Sequence, residues 1–125
     1  MAKVLLAEDD EFSRDMLMRR LERNGYEVLA AADGREAVRS ARLHRPDLIL
    51  MDLDMPVMDG RAAIRAIKGD PQTTGIPIIV LTAYTSVRDV ADALKAGCQG
   101  YEAKPVVLRR LIGRIEELLQ SNGHT

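Results

Sequence analysis

The stretch Leu48-Ile49-Leu50-Met51-Asp52-Leu53-Asp54-Met55-Pro56 decides how this 125-residue chain is read. Four apolar residues run straight into a carboxylate. A second carboxylate follows two residues later, and a proline closes the segment. A run that is apolar on both faces suits a central strand of a parallel sheet covered by helices on both sides. An acid at the carboxyl end of such a strand lies where open α/β sheets bind their ligands. Asp52 is therefore the candidate reactive carboxylate, and the remaining polar signals are read for whether they converge on it.

Working outward, the same strand-then-helix unit recurs. Val4-Leu5-Leu6-Ala7 reads as a buried strand and ends in Glu8-Asp9-Asp10. Phe12 to Asn24 reads as a helix with Phe12, Met16, Leu17 and Leu21 on its inner face and Gly25 as its stop. Glu27 to Ala31 is a second strand. Asp33-Gly34-Arg35-Glu36 resembles a capping box. The helix it opens buries Ala37, Val38 and Ala41 and must end before Pro46. Beyond the opening stretch, Met58-Asp59-Gly60 is a turn signal, and Arg61 to Lys68 presents Ala63, Ile64 and Ile67.

The polar segment Gly69 to Gly75 reads as a surface loop. Ile76 to Leu81 is a fourth apolar strand leading into Thr82-Ala83. Ser86-Val87-Arg88-Asp89 opens a helix that reaches Ala96 and stops at Gly97. Gly100-Tyr101-Glu102-Ala103 is a short fifth strand ending at Lys104-Pro105. Leu108, Leu111, Ile112, Ile115, Leu118 and Leu119 mark an amphipathic last helix, and residues 121–125 form a frayed tail. Five β-then-α units imply a doubly wound α/β domain over residues 1–125, its crossovers right-handed.

Composition narrows the function. The chain is 46% hydrophobic and 30% charged, with a net charge of −1 and no isolated basic run, which argues against direct nucleic-acid binding. Cys98 is the single cysteine and reads as an apolar filler. No membrane span or signal peptide is present, so a cytoplasmic protein is expected.

The strand ends carry the chemistry. Strand one ends in Glu8 and Asp9, strand three in Asp52, strand four in Thr82 and strand five in Lys104. In a flavodoxin-like order, 2-1-3-4-5, strands one and three are neighbours at the switch point. Their carboxylates then crowd together, and two such charges about 4 Å apart repel by ~4 kcal/mol at an effective dielectric of 20. That repulsion calls for a divalent cation; oxygen ligands suit Mg²⁺ or Mn²⁺. An ammonium from Lys104 and a hydroxyl from Thr82 beside a carboxylate nucleophile are what phosphoryl transfer requires. Taken singly, each residue has a plainer role. The early acids favour a helix N-terminus, Asp52 suits a turn, Thr82 is at home in a strand, and Lys104 is a solvated charge. Met55 and Met58 read as loop packing.

At these residues the chain resembles a response-regulator receiver domain of two-component signalling, similar to single-domain regulators and hybrid-kinase receivers. The matching motifs are Glu8-Asp9, the run Asp52 to Gly60, Leu81-Thr82-Ala83, and Gly100-Tyr101-Glu102-Ala103-Lys104-Pro105. The resemblance implies that Asp52 accepts a phosphoryl group from a histidine kinase or histidine phosphotransfer protein. It implies Mg²⁺ held by Asp9, Glu8, Asp52 and the backbone carbonyl of Asp54. Lys104 and Thr82 are then expected on the phosphoryl oxygens, with Tyr101 as the switch aromatic and a cis Lys104–Pro105 bond. Asp54, Ala83 and Tyr84 are expected to modulate the site from its mouth. Val106 departs from the aromatic residue common after the Lys-Pro pair. The implied output is a changed surface on helix four, strand five and helix five, contacting a downstream protein. The protein is not a turnover enzyme on this reading, and is either a stand-alone regulator or an excised module.

Two other classes fit parts of the pattern. Asp52-Leu53-Asp54 resembles the motif of haloacid-dehalogenase-type Mg²⁺-dependent phosphatases, but those chains open on it, and Glu8-Asp9 would go unexplained. A pseudo-receiver that only binds partners is disfavoured by the joint presence of Asp9, Asp52, Thr82 and Lys104.

Overall fold

The alternation expected from the apolar runs is present along the whole chain. A computed structural model describes residues 1–53, 55 and 58–121. The strands are β1 (Lys3–Ala7), β2 (Glu27–Ala31), β3 (Leu48–Asp52), β4 (Ile78–Thr82) and β5 (Gly100–Ala103). The helices are α1 (Glu11–Arg23), α2 (Gly34–His44), α3 (Gly60–Lys68), α4 (Val87–Ala96) and α5 (Leu108–Ser121). All strand pairs are parallel, in the order β2-β1-β3-β4-β5. This is the flavodoxin-like arrangement expected for the chain.

Alternate strand residues feed two apolar layers. Leu5, Ala7, Ile49, Met51, Ile78 and Val80 pack with α2, α3 and α4. Val4, Leu6, Leu48, Leu50, Ile79 and Leu81 pack with α1 and α5. Each such Leu or Ile contributes roughly 1.5–3 kcal/mol by leaving water, which is why these runs carry no polar face. Local chemistry then sets the helix ends. Asp33 accepts from Glu36 N at 2.8 Å, Asp59 from Ala62 N at 2.9 Å, and Ser86 from Asp89 N at 3.1 Å. Gly97, at φ 119°, closes α4.

Three expectations need correction. Phe12 and Met16 do not belong to the inner face of α1; they are 73% and 37% exposed. The inward stripe is Arg14, Leu17, Met18 and Leu21, with Leu21 fully buried. Spacings of three, one and three residues define a face as helical as the one expected, and packing on β1 and α5 selects it. β4 begins at Ile78, not Ile76, because Pro77 has no N–H to enter the ladder. Residues 69–75 are not wholly superficial either. Thr73 is fully buried and its hydroxyl donates to Ile67 O at 2.7 Å.

Candidate functional site

The parallel register places the site. Ala7 of β1 pairs with Met51 of β3, so the residues that follow them, Glu8 and Asp52, stand side by side at the strand ends. Asp52 is 2% exposed and Glu8 6% exposed, while Asp9 lies in the open. Carboxylate oxygens of Glu8, Asp9 and Asp52 all fall within 4.8 Å of one another. Asp10 takes the plainer role instead: its side chain accepts from Ser13 N at 2.8 Å and caps α1.

Lys104 enters from the end of β5. Its backbone N–H donates to Thr82 O at 2.8 Å. Its Nζ stands 3.0 Å from Asp52 Oδ2 and 3.3 Å from Glu8 Oε1. The Lys104–Pro105 bond is cis, as expected. Thr82 is buried at the end of β4, where its hydroxyl accepts from Tyr84 N at 2.9 Å. Ala83 and Tyr84 are exposed at the mouth, and Tyr101 faces outward at 37% exposure. The structure thus gathers Glu8, Asp9, Asp52 and Lys104 into one cluster, while the Thr82 hydroxyl is held by the Tyr84 backbone and Tyr101 faces outward. Asp54, expected to lend a backbone carbonyl, lies outside the described residues.

Charge in this cluster is unbalanced. Three carboxylates face one ammonium, and two of the three are buried. Burial, a hydrogen bond with Asp52 and the charge of Asp52 together push Glu8 up to about 7; the Asp10 N–H and Lys104 only partly offset them. Burial alone would lower Lys104, yet the hydrogen bonds and charges of Asp52 and Glu8 outweigh it and raise the ammonium above its ordinary value. An all-oxygen cluster holding surplus negative charge at a solvent-reachable strand end fits a hard divalent cation such as Mg²⁺, which keeps several waters.

Sequence reasoning did not assign three contributions that the structure shows. Arg14 donates to Glu8 O at 3.0 Å and anchors the acidic loop to α1. The Tyr84 backbone holds the Thr82 hydroxyl. A Cβ on Gly60 would lie 2.5 Å from Asp52 O and 2.6 Å from Leu53 Cα, so only glycine lets α3 start this close to Asp52. A glycine directly after the capping Asp59 was the available signal for the last.

With fold and cluster in place, comparison with known proteins gives the class. Residues 4–116 match the response regulator receiver domain family, and the chain belongs to it. As such it is a phospho-accepting signalling domain of two-component systems, a family phosphorylated by histidine kinases and binding Mg²⁺ in its active site. It is 41% identical over 123 residues to the transcriptional regulatory protein PrrA of Mycobacterium tuberculosis, covering 98% of this chain and 52% of that protein. The chain therefore spans about half the length of such curated relatives. It is 35% identical over 116 residues to the polar-differentiation response regulator DivK of Brucella anthropi, covering 93% and 94% of the two chains. Among solved structures it resembles the receiver domain of sensor histidine kinase PA1611 from Pseudomonas aeruginosa PAO1, described with a magnesium ion coordinated in the active-site cleft. That match has a TM-score of 0.89 and 37% identity, and covers 95% and 98% of the two chains. Among the described residues no helix is long and apolar enough to cross a membrane.

Proposed function

We infer that Asp52 is the phospho-acceptor of this receiver domain. The observation that carries this is a 2%-exposed carboxylate at the switch point, with an ammonium 3.0 Å away and two further carboxylates beside it. An Asp52 oxygen forms the new O–P bond as the P–N bond of a partner's phosphohistidine breaks. The electron pair stays on the imidazole nitrogen, which takes up a proton. Lys104 neutralises a phosphoryl oxygen from its present position against Asp52. Glu8, Asp9 and Asp52, with the Asp54 carbonyl, are the groups to hold Mg²⁺, for which Mn²⁺ can substitute; the cation supplies charge neutralisation to the phosphoryl oxygens. Water later cleaves the acyl phosphate and restores Asp52, so the domain processes only its own modification. The donor is a histidine kinase or a histidine phosphotransfer protein.

Thr82 connects the chemistry to an output. Its hydroxyl is now held by Tyr84 N. A dianionic group on Asp52 draws it away to donate to a phosphoryl oxygen, and Tyr101 turns inward into the space released. Ala83 and Tyr84 border the opening, and with the side chain of Asp54 they set how long the phosphoryl group lasts. The surface of α4, β5 and α5 then changes toward a protein target. Taking a two-state equilibrium from 1:99 to 99:1 needs about 5.5 kcal/mol. Hydrogen bonds to charged groups supply about 1.5–3 kcal/mol each, so two of them with the aromatic repacking reach that range.

Incubation with acetyl phosphate and Mg²⁺, followed by peptide mapping, is expected to place one phosphoryl group on Asp52; a label elsewhere refutes the assignment. Beryllofluoride with Mg²⁺ is expected to shift the amides of Thr82 and Tyr101. Unchanged amides there refute the switch.

A further inference from the structure

On the opposite side of the sheet from α1, α2 and α3 enclose a cleft of about 550 Å³. One face of α2 supplies Arg35, Val38, Arg39, Arg42 and Leu43, at helical spacings i, i+3, i+4, i+7 and i+8. Met58 and Ala66 form the other wall. Leu43 is 73% exposed, so its side chain projects into the cleft mouth with little cover of its own.

The arginines are not equivalent. Arg42 Nε already holds the Asp70 carboxylate at 2.9 Å. Among the described residues the side chains of Arg35 and Arg39 have no hydrogen bond or ion pair. Residues 34–45 carry four arginines against one acid, Glu36, in a chain whose overall charge is −1. The row therefore presents an unneutralised basic edge beside an apolar floor, with Asp70 showing the group that it takes up.

We propose that this cleft docks an acidic amphipathic helix of a partner protein. Its carboxylates, one turn apart, meet Arg39 and Arg35, and its apolar side chains lie over Val38, Leu43, Met58 and Ala66. Length selects a helix over a compact anion. Arg35 to Arg42 spans roughly 10 Å along α2, and Arg35 to Arg39 roughly 6 Å, the rise of one helical turn. Carboxylates at i and i+4 on a second helix repeat that interval. A single phosphate cannot reach along the row, whereas a helix continues the line that Asp70 begins. Helix-in-groove recognition uses this combination of apolar anchors with charged edges. Arg39 and Arg35 set orientation and encounter rate, and Leu43 and Met58 supply the apolar contact. The cleft lies on the α2–α3 face, away from the surface of α4, β5 and α5, and the proposal does not depend on phosphorylation of Asp52.

The test uses the unphosphorylated full chain, ¹⁵N-labelled, titrated with a synthetic helical peptide about four turns long that carries Glu at i, i+4 and i+7 around leucines. Amide shifts are expected at residues 35–43 and around Ala66, weakening as salt rises. Arg35→Glu with Arg39→Glu is expected to weaken binding at least about tenfold; Arg35→Gln with Arg39→Gln gives the same direction should the reversal impair folding. A peptide with Lys in place of Glu is expected to leave the spectrum unchanged. The proposal is overturned by an absence of shifts up to about 1 mM peptide, by shifts confined to other surfaces, or by binding that survives both double substitutions. Equal shifts with inorganic pyrophosphate would make the cleft a small-anion site instead. Concentration-dependent shifts at these residues without peptide would make it a self-association face.

Discussion

Asp52 and Glu102 are both buried acids in one register row of the sheet, on either side of Leu81, 2% and 4% exposed, and each has a cation within hydrogen-bond distance. Their surroundings differ in stoichiometry. Glu102 of β5 meets Arg114 of α5 one to one, at 2.6 Å, and joins strand to helix. Asp52 shares Lys104 with Glu8 and stands within 4.8 Å of carboxylate oxygens from Glu8 and Asp9. A balanced buried pair is fastening. A cluster short of positive charge is a receptor for it, which suits a hard divalent cation. The pairing ratio, not burial, separates the proposed phospho-acceptor from the structural acid.

Substitution should therefore cross over between the two sites. Asp52→Asn is expected to lower acetyl-phosphate labelling at least about 100-fold while raising stability by about 1–2 kcal/mol in metal-free buffer, since it relieves crowding. Labelling followed by mass spectrometry and urea denaturation read the two effects. Lys104→Ala keeps the acceptor but removes its countercharge. It should slow labelling about tenfold and lower metal-free stability, which a time course and the same denaturation resolve. Glu102→Gln is expected to do the reverse of Asp52→Asn. Stability falls by about 1–2 kcal/mol, with the loss moderated because Arg114 is 39% exposed, and labelling at Asp52 stays within about twofold. If Glu102→Gln impaired labelling as strongly as Lys104→Ala, the division into fastening and receptor would fail.

Much of this was written locally in the chain. The five strands are continuous apolar runs, and Asp33, Asp59 and Ser86 announce their helices because capping acts over three residues. The paired acids after β1 and the acid closing β3 point to a cation site as soon as the two strands are neighbours. What was not legible is phase and distance. The sequence around α1 offers two apolar stripes, one through Phe12 and Met16 and one through Leu17, Met18 and Leu21, and only packing on β1 and α5 chooses the second. Lys104 meets Glu8 across 96 residues and Arg114 meets Glu102 across 12. No spacing rule announces either contact. The open arginines of α2 were equally silent, because an exposed basic helix face reads as ordinary solvation until a cleft is seen beneath it.

The smallest effect separates the two acids by pH. Glu8, pushed up to about 7 by burial and by its hydrogen bond with Asp52, has an unfolded value near 4.5. Below the unfolded value both states hold the proton and the cluster carries no penalty from Glu8. Between the two values the folded chain keeps the proton that the unfolded chain releases, so stability falls as pH rises; above about 7 the loss is complete. In chelator, chemical denaturation from pH 5 to 7.5 is thus expected to lose roughly 1–2 kcal/mol. Glu8→Gln should flatten that slope, and millimolar Mg²⁺ should flatten it by neutralising the charge that opposes ionisation. Glu102→Gln should leave the slope as it is, because its charge is matched by Arg114. A slope that persisted in Glu8→Gln would place the uncompensated charge elsewhere and remove the electrostatic distinction between the acidic cluster and the Glu102–Arg114 pair.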